Sequence, residues 1–150
     1  MTFYGFILLV HIIAAVAGLG ASFAMPLVIK YPKTVEQAKF ALLLNKHIEK
    51  PVKYGSIVLL LTGLILGFLN LDLFKHGWYI ASLVIYILVQ PIVAGILPKR
   101  LKQMEQILAE HNKEDIPEAY QVLNSGLRPF NWIIHGAAII LIILMTIKPF

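Results

Sequence analysis

ILLVHIIAAVAGLGASFAMP, residues 7–26, is an apolar run too long to be anything but a membrane span, and it holds one histidine, His11. An imidazole in hydrocarbon needs a partner. At 100° per residue, a helix through this run places Tyr4, His11, Ala14, Ala15, Gly18, Ser22 and Met25 on one face. Beyond the histidine that face is nearly bare, so it suits either the close approach of a second helix or a flat cofactor beside the ring. What the remaining chain offers His11 is therefore the question.

Of the 150 residues, 59% are hydrophobic and 14% charged, and mean hydropathy is +0.79, beyond the range of ordinary soluble domains. Charge-free segments at 1–29, 54–71, 77–98 and 129–147 each meet or approach the ~20 residues that cross ~30 Å of hydrocarbon. The sequence predicts an all-α integral membrane protein: a four-helix up-down-up-down bundle forming one domain over 1–150. Its spans fall at about 3–29, 52–71, 77–98 and 129–147, with short interfacial helices on the cytoplasmic side. No Lys or Arg precedes the first run, which reads as a retained span rather than a cleavable signal peptide.

Orientation follows from the basic residues. Lys30, Lys33, Lys39, Lys46, Lys50 and Lys53 lie between the first two spans, and Lys99, Arg100, Lys102, Lys113 and Arg128 between the last two. The opposite side has only Lys75 and Lys148. Both large loops are expected in the cytoplasm and both termini outside the cell membrane. The net charge of +5 belongs to this asymmetry and implies anionic lipid headgroups as partners, with no motif or aromatic-basic surface for nucleic acid. The absence of cysteine excludes disulfides, thiolate metal sites and covalent c-type haem, so any haem is held non-covalently.

Several polar residues punctuate the spans. Pro26 either kinks the first helix or marks its last membrane turn, and residues 33–50 read as a short amphipathic helix on the membrane surface. His47, near its end, is either solvated or a reserve ligand reaching the bundle mouth. In span two, Gly63 and Gly67 stand at the spacing of closely approaching helices, and Thr62 is expected to return its hydroxyl to a backbone carbonyl. Asp72, Lys75 and His76 form a solvated outer turn. Span three opens on the anchor Gly77-Trp78-Tyr79 and carries Ser82, Tyr86 and Gln90 at i, i+4 and i+8. That stripe should face inward, as polar glue or as pocket lining, and Pro91 opens the backbone near Ile87. The helix runs on beyond Pro98 to a solvated His111, and a short piece from Pro117 to Leu123 ends at the turn Asn124-Ser125-Gly126.

Span four brings a second intramembrane histidine, His135, on a face with Arg128, Asn131, Trp132, Ala138, Ile139, Ile142 and Thr146. Counted from the outer span ends at ~1.5 Å per residue, His11 lies ~12 Å deep and His135 ~18 Å deep. Spans one and four are neighbours in the simplest bundle, so the two rings converge on one mid-membrane site. They then ligate a haem b from opposite faces, join a small metal site, or hydrogen-bond to neighbours such as Tyr86 or Ser22. For the haem, Gly18 with Ala14 and Ala15, and Gly136 with Ala138, give clearance, while Phe23, Phe130 and Trp132 supply aromatic walls. Arg128, two turns from His135 toward the cytoplasm, is either a propionate partner or one more positive-inside residue; Tyr86 and Asn131 complete the candidate lining.

The run HIIAAVAGLGAS (11–22), the segment NKHIEKPVKYGSIVLLLTGLILG (45–67) and a final histidine span together resemble a family of small, uncharacterised bacterial integral membrane proteins. More distantly, the layout is similar to bacterial membrane protoporphyrinogen oxidases and to membrane domains of copper-resistance proteins. The resemblance implies haem or porphyrin handling, with His11 the position carried over most directly. Span three lacks an oxidase-type basic residue, Gln90 being its most polar candidate. The function expected is a haem b-binding membrane protein with a redox or haem-handling role. The alternatives are a quinol- or porphyrinogen-type oxidoreductase partnered by quinol or another redox protein, a copper or small-solute path through His11, Tyr86, Gln90 and His135, and a non-catalytic accessory subunit. A homo-oligomer sharing one site between copies is a further arrangement.

Overall fold

The computed structural model describes residues 2–150; Met1, first residue of the leading charge-free segment, lies outside them. Among the described residues, four helices are long and apolar enough to cross a membrane: Phe3–Lys30, Val35–Leu69, Gly77–Glu110 and Glu118–Ile147. Their outward surfaces carry large apolar side chains such as Ile12, Val16, Phe68 and Leu88, as lipid-facing helices require. The chain is an integral, multi-pass membrane protein built as a four-helix bundle.

The helices extend well past the membrane on the loop side, here called the basic end. Residues 33–50, expected as a separate surface helix, instead join span two in one helix, Val35–Leu69, of 35 residues and ~52 Å. Thr34 caps it by accepting from the Gln37 backbone N–H at 3.3 Å. Pro51 lies within it without ending it, since proline removes only one donor and one carbonyl partner. The apolar face of that extension, Val35, Ala38 and Leu42, is not laid on lipid but buried against Met104, Leu108 and Tyr120. Span three likewise runs on through Leu97–Glu110, as expected, and the short helix Glu118–Ser125 closes this second core.

Two helices change pitch in mid-course. A π turn at Val16–Gly20 interrupts span one, and another at Pro91–Ile96 interrupts span three, where Pro91 cannot supply the ordinary i−4 hydrogen bond.

Spans one and two pack as one antiparallel pair and spans three and four as the other. The first pair approaches through Gly18 and Gly55: a Cβ on Gly55 would stand 2.7 Å from Gly18 N and 2.8 Å from Gly18 Cα. Only glycine fits there. Gly63 and Gly67, expected to admit helix backbones, instead admit side chains, the His11 ring and the Tyr79 hydroxyl respectively. The pairs are joined by phenols from span three, with Tyr79 donating to Gly63 O at 2.9 Å and Tyr86 donating to Ser56 O at 2.6 Å. At the opposite end, the turn Leu71–Lys75 is a 3-10 helix with Lys75 paired to Asp72 at 2.7 Å, and Trp78 N–H donates to Phe150 O at 3.1 Å.

Candidate functional site

The middle of the bundle is closed by one layer of four buried residues, one from each span: Ala14, Leu59, Tyr86 and Leu141. Tyr86 is held there twice, donating to Ser56 O and accepting from the Ser56 hydroxyl. On either side of this septum lies a cavity, and Leu59 and Tyr86 line both.

The inner cavity, about 100 Å³, lies toward the basic end. Its walls are mostly apolar, and its polar lining comes from all four spans: Ser22, Asn45, Glu49, Ser56, Tyr86, Gln90, Asn131 and His135. Both π turns border it, through Gly18, Leu19 and Val93. Irregular backbone at membrane depth is tolerated where it lines a cavity. Asn45 is 1% exposed, and neither its amide nitrogen nor its carbonyl oxygen has a hydrogen-bond partner among the described residues. Such a group is costly unless something else satisfies it. Glu49, half-buried at the mouth, makes no ion pair among the described residues.

His135 stacks on Phe23 of span one, with centroids 4.3 Å apart and planes at 15°. Its Nε2 lies 3.4 Å from Ser22 O, a long hydrogen bond in which the carbonyl can only accept. Nε2 therefore carries the proton and Nδ1 is the free acceptor.

The outer cavity, about 140 Å³, is lined by His11, Tyr79, Ser82, Met145 and Lys148 among apolar neighbours. Here the tautomer of His11 is set by counting protons. The single Thr62 hydroxyl proton goes to backbone, to Val58 O at 2.6 Å with Leu59 O at 3.2 Å, as the sequence led us to expect. Thr62 Oγ1 can then only accept from His11 Nδ1 at 2.9 Å. The Nδ1–H is committed, and Nε2 keeps a bare lone pair inside the bundle.

The two histidines are consequently on opposite sides of the septum. His135 is level with Ser22 and Phe23, eleven residues beyond His11 on span one, which is ~16 Å. Axial ligands of one iron need nitrogens within ~4 Å, twice a metal–nitrogen bond. The expected convergence on one site is not formed within a chain, and the residues present do not fit a haem held between spans one and four. Neither cavity approaches the ~300 Å³ at which cofactor pockets begin.

The other candidates fall in different places. Tyr86 and Asn131 line the inner cavity. Gly18 does too, but its clearance is taken up by Gly55 rather than left for a cofactor. Trp132 is 80% exposed and points away from the bundle, an aromatic anchor rather than a pocket wall. Arg128 is exposed in a groove at the basic end. His47 is also exposed, its Nδ1 donating to Leu43 O of its own helix at 2.8 Å, and it does not line either cavity. His111, expected solvated, is half-buried with Nε2 3.6 Å from Asp115. Among the described residues, no three His, Cys, Asp or Glu side chains gather as a metal site.

Asn45, Glu49 and Ser56 are not among the sequence candidates, because residues 33–50 read as a surface helix separate from span two, whereas one helix, Val35–Leu69, carries all three. A signal was present: positions 45, 49, 52, 56, 59 and 63 repeat at alternating intervals of four and three, one continuous helical face through the proline.

A family model described as Predicted integral membrane protein (DUF2269) matches residues 6–149. No curated protein and no solved structure matches the chain.

Proposed function

The chain belongs to the DUF2269 family of predicted integral membrane proteins, and from its two cavities we propose that it passes a small polar solute across the bilayer. The carrying observation is the pair of cavities, each with a few polar side chains set in apolar walls, that lie toward opposite ends and are parted by a single septum at Leu59 and Tyr86. In this reading the basic end faces the cytoplasm of a cell membrane. Asn45 and Glu49 meet the solute at the inner mouth, and His135 offers it an acceptor nitrogen. Tyr86 swings from Ser56 to let it pass, and the bare Nε2 of His11 receives it on the outer side. The π turns supply the compliance, because a π turn marks a place where a helix can change register locally. A cavity of this size takes a solute of a few heavy atoms.

The test is uptake into proteoliposomes, screened over small amides, amines, carboxylic acids and protons. Flux that is enhanced by Tyr86→Ala, and reduced by Asn45→Leu and His11→Ala, is the expected result. No flux for any class, with Tyr86→Ala as tight as the wild type, would remove the reading.

A second reading keeps His11 as a metal ligand. Its Nδ1 is fixed by Thr62 as ligating imidazoles usually are, and Met145 lines the same cavity. Imidazole with thioether suits a soft ion such as Cu(I). Metal analysis and an absorption spectrum of the purified protein, oxidised and reduced, test this; a Soret band lost in His11→Ala but kept in His135→Ala would return haem to this site instead.

A further inference from the structure

A groove of about 820 Å³ lies at the basic end, between the foot of span one and the head of span four, separate from both cavities' septum. Its lining brings two cations from different helices together, Lys30 closing span one and Arg128 opening span four. Neither makes an ion pair among the described residues. Neutral amide donors accompany them: Asn124 from the short helix, and Asn131 one turn into span four. One carboxylate, Glu118, also lines the groove, which leaves positive charge in excess. A second observation is independent of charge. Tyr120 forms part of the groove wall, is 2% exposed, and its hydroxyl has no hydrogen-bond partner among the described residues.

The level of the groove is that of lipid headgroups. Tyr31 and Trp132 lie beside Lys30 and Asn131 in sequence, and both are exposed on the bundle surface as aromatic anchors are. A basic pocket between spans at this level is complementary to a phosphate ester, and here the cations come from spans that otherwise pack in different pairs. We propose that the groove between Lys30, Arg128 and Tyr120 binds the phosphate group of an anionic headgroup, tying span one to span four. Guanidinium and ammonium pair with the phosphate oxygens, and the phenol donates to one of them. The site stands whether or not the bundle conducts a solute.

The experiment uses the full chain purified in neutral detergent, with phosphatidylglycerol or phosphatidylcholine added and retention followed by native mass spectrometry and thermal unfolding. Phosphatidylglycerol should be retained and raise the melting temperature, and phosphatidylcholine should not. Lys30→Gln and Arg128→Gln should each weaken retention about fivefold, and the double variant should abolish it. Tyr120→Phe should weaken it while leaving the lipid-free melting temperature unchanged or higher. Lys102→Gln, an exposed charge elsewhere on the basic end, should have no effect. Inorganic phosphate in a parallel arm separates the sources: if it displaces phosphatidylglycerol at millimolar concentration the site reads phosphate alone, and if not it reads the lipid. Equal retention of the two lipids, or full retention of phosphatidylglycerol in the double variant, overturns the proposal.

Discussion

Replacing Gly55 by alanine should loosen the crossing of spans one and two, and the effect can be worked from the backbone. The new Cβ would meet Gly18 N at 2.7 Å, Gly18 Cα at 2.8 Å and Ala14 O at 3.1 Å, all main-chain atoms that no rotamer change can move. Restoring ordinary contact requires the axes to part by about 0.7 Å, and a gap of that order forfeits a quarter or more of the dispersion energy of the atoms it separates. Overpacking of this kind costs about 1–3 kcal/mol. Gly18→Ala should cost less, because its Cβ would meet Gly55 C and Ser56 N at 3.1 Å. Gly20→Ala, in the same π turn but with nothing within 4 Å, should change stability little and serves as the control. The assay is equilibrium unfolding in mixed detergent–SDS micelles followed by circular dichroism. A Gly55→Ala protein as stable as Gly20→Ala would refute the close crossing, and with it the placement of Ser56 against Tyr86.

Tyr86→Phe removes both bonds to Ser56 and should cost about 1 kcal/mol, measured in the same micelles, while raising the leak of small solutes through proteoliposomes. Thr62→Val takes away the acceptor of His11 Nδ1–H, so nitrogen NMR of the ring should change from one tautomer to a mixture. Asn45→Leu deletes two unpartnered buried atoms and should raise stability in detergent by about 1–2 kcal/mol; a loss instead would show that Asn45 already has a partner. Burial pushes the Tyr120 phenol up to about 12 from the usual 10. Its neutral form is favoured by the fold, so stability is whole below pH 10 and falls as pH rises toward 12. An alkaline melt should show this decline in the wild type and not in Tyr120→Phe.

The membrane class and the four spans were legible because they rest on length and charge, which hydrocarbon enforces strictly. The inward stripe Ser82, Tyr86 and Gln90 was legible for the same reason, since polar side chains in a span have nowhere else to point. The extension of span two was not. A run with Lys, Glu and Gln between apolar residues looks the same whether its apolar face meets lipid or another helix, and only Met104, Leu108 and Tyr120, far away in sequence, decide it. Gly55 shows a similar limit. It has no glycine partner at i+4, and its need for bareness comes from Gly18 on another helix.

The two histidines show why the depth of a residue cannot be counted from charge boundaries alone. Counting from the outer span ends put the rings ~6 Å apart. The septum gives a better ruler, since Ala14 and Leu141 share it. Span one continues eleven residues beyond that layer to Phe3, ~16 Å, whereas span four continues only six to Ile147, ~9 Å. The ends are not flush because span four stops early: Lys148 takes a left-handed conformation with φ 50°, its ammonium lies 5.4 Å from the Trp78 ring centroid, and Phe150 O accepts from Trp78 N–H. This offset moves His135 down the bundle relative to His11 and places the septum between them. A pair that looks like two ligands of one iron in the sequence is, in the folded bundle, one acceptor nitrogen for each cavity.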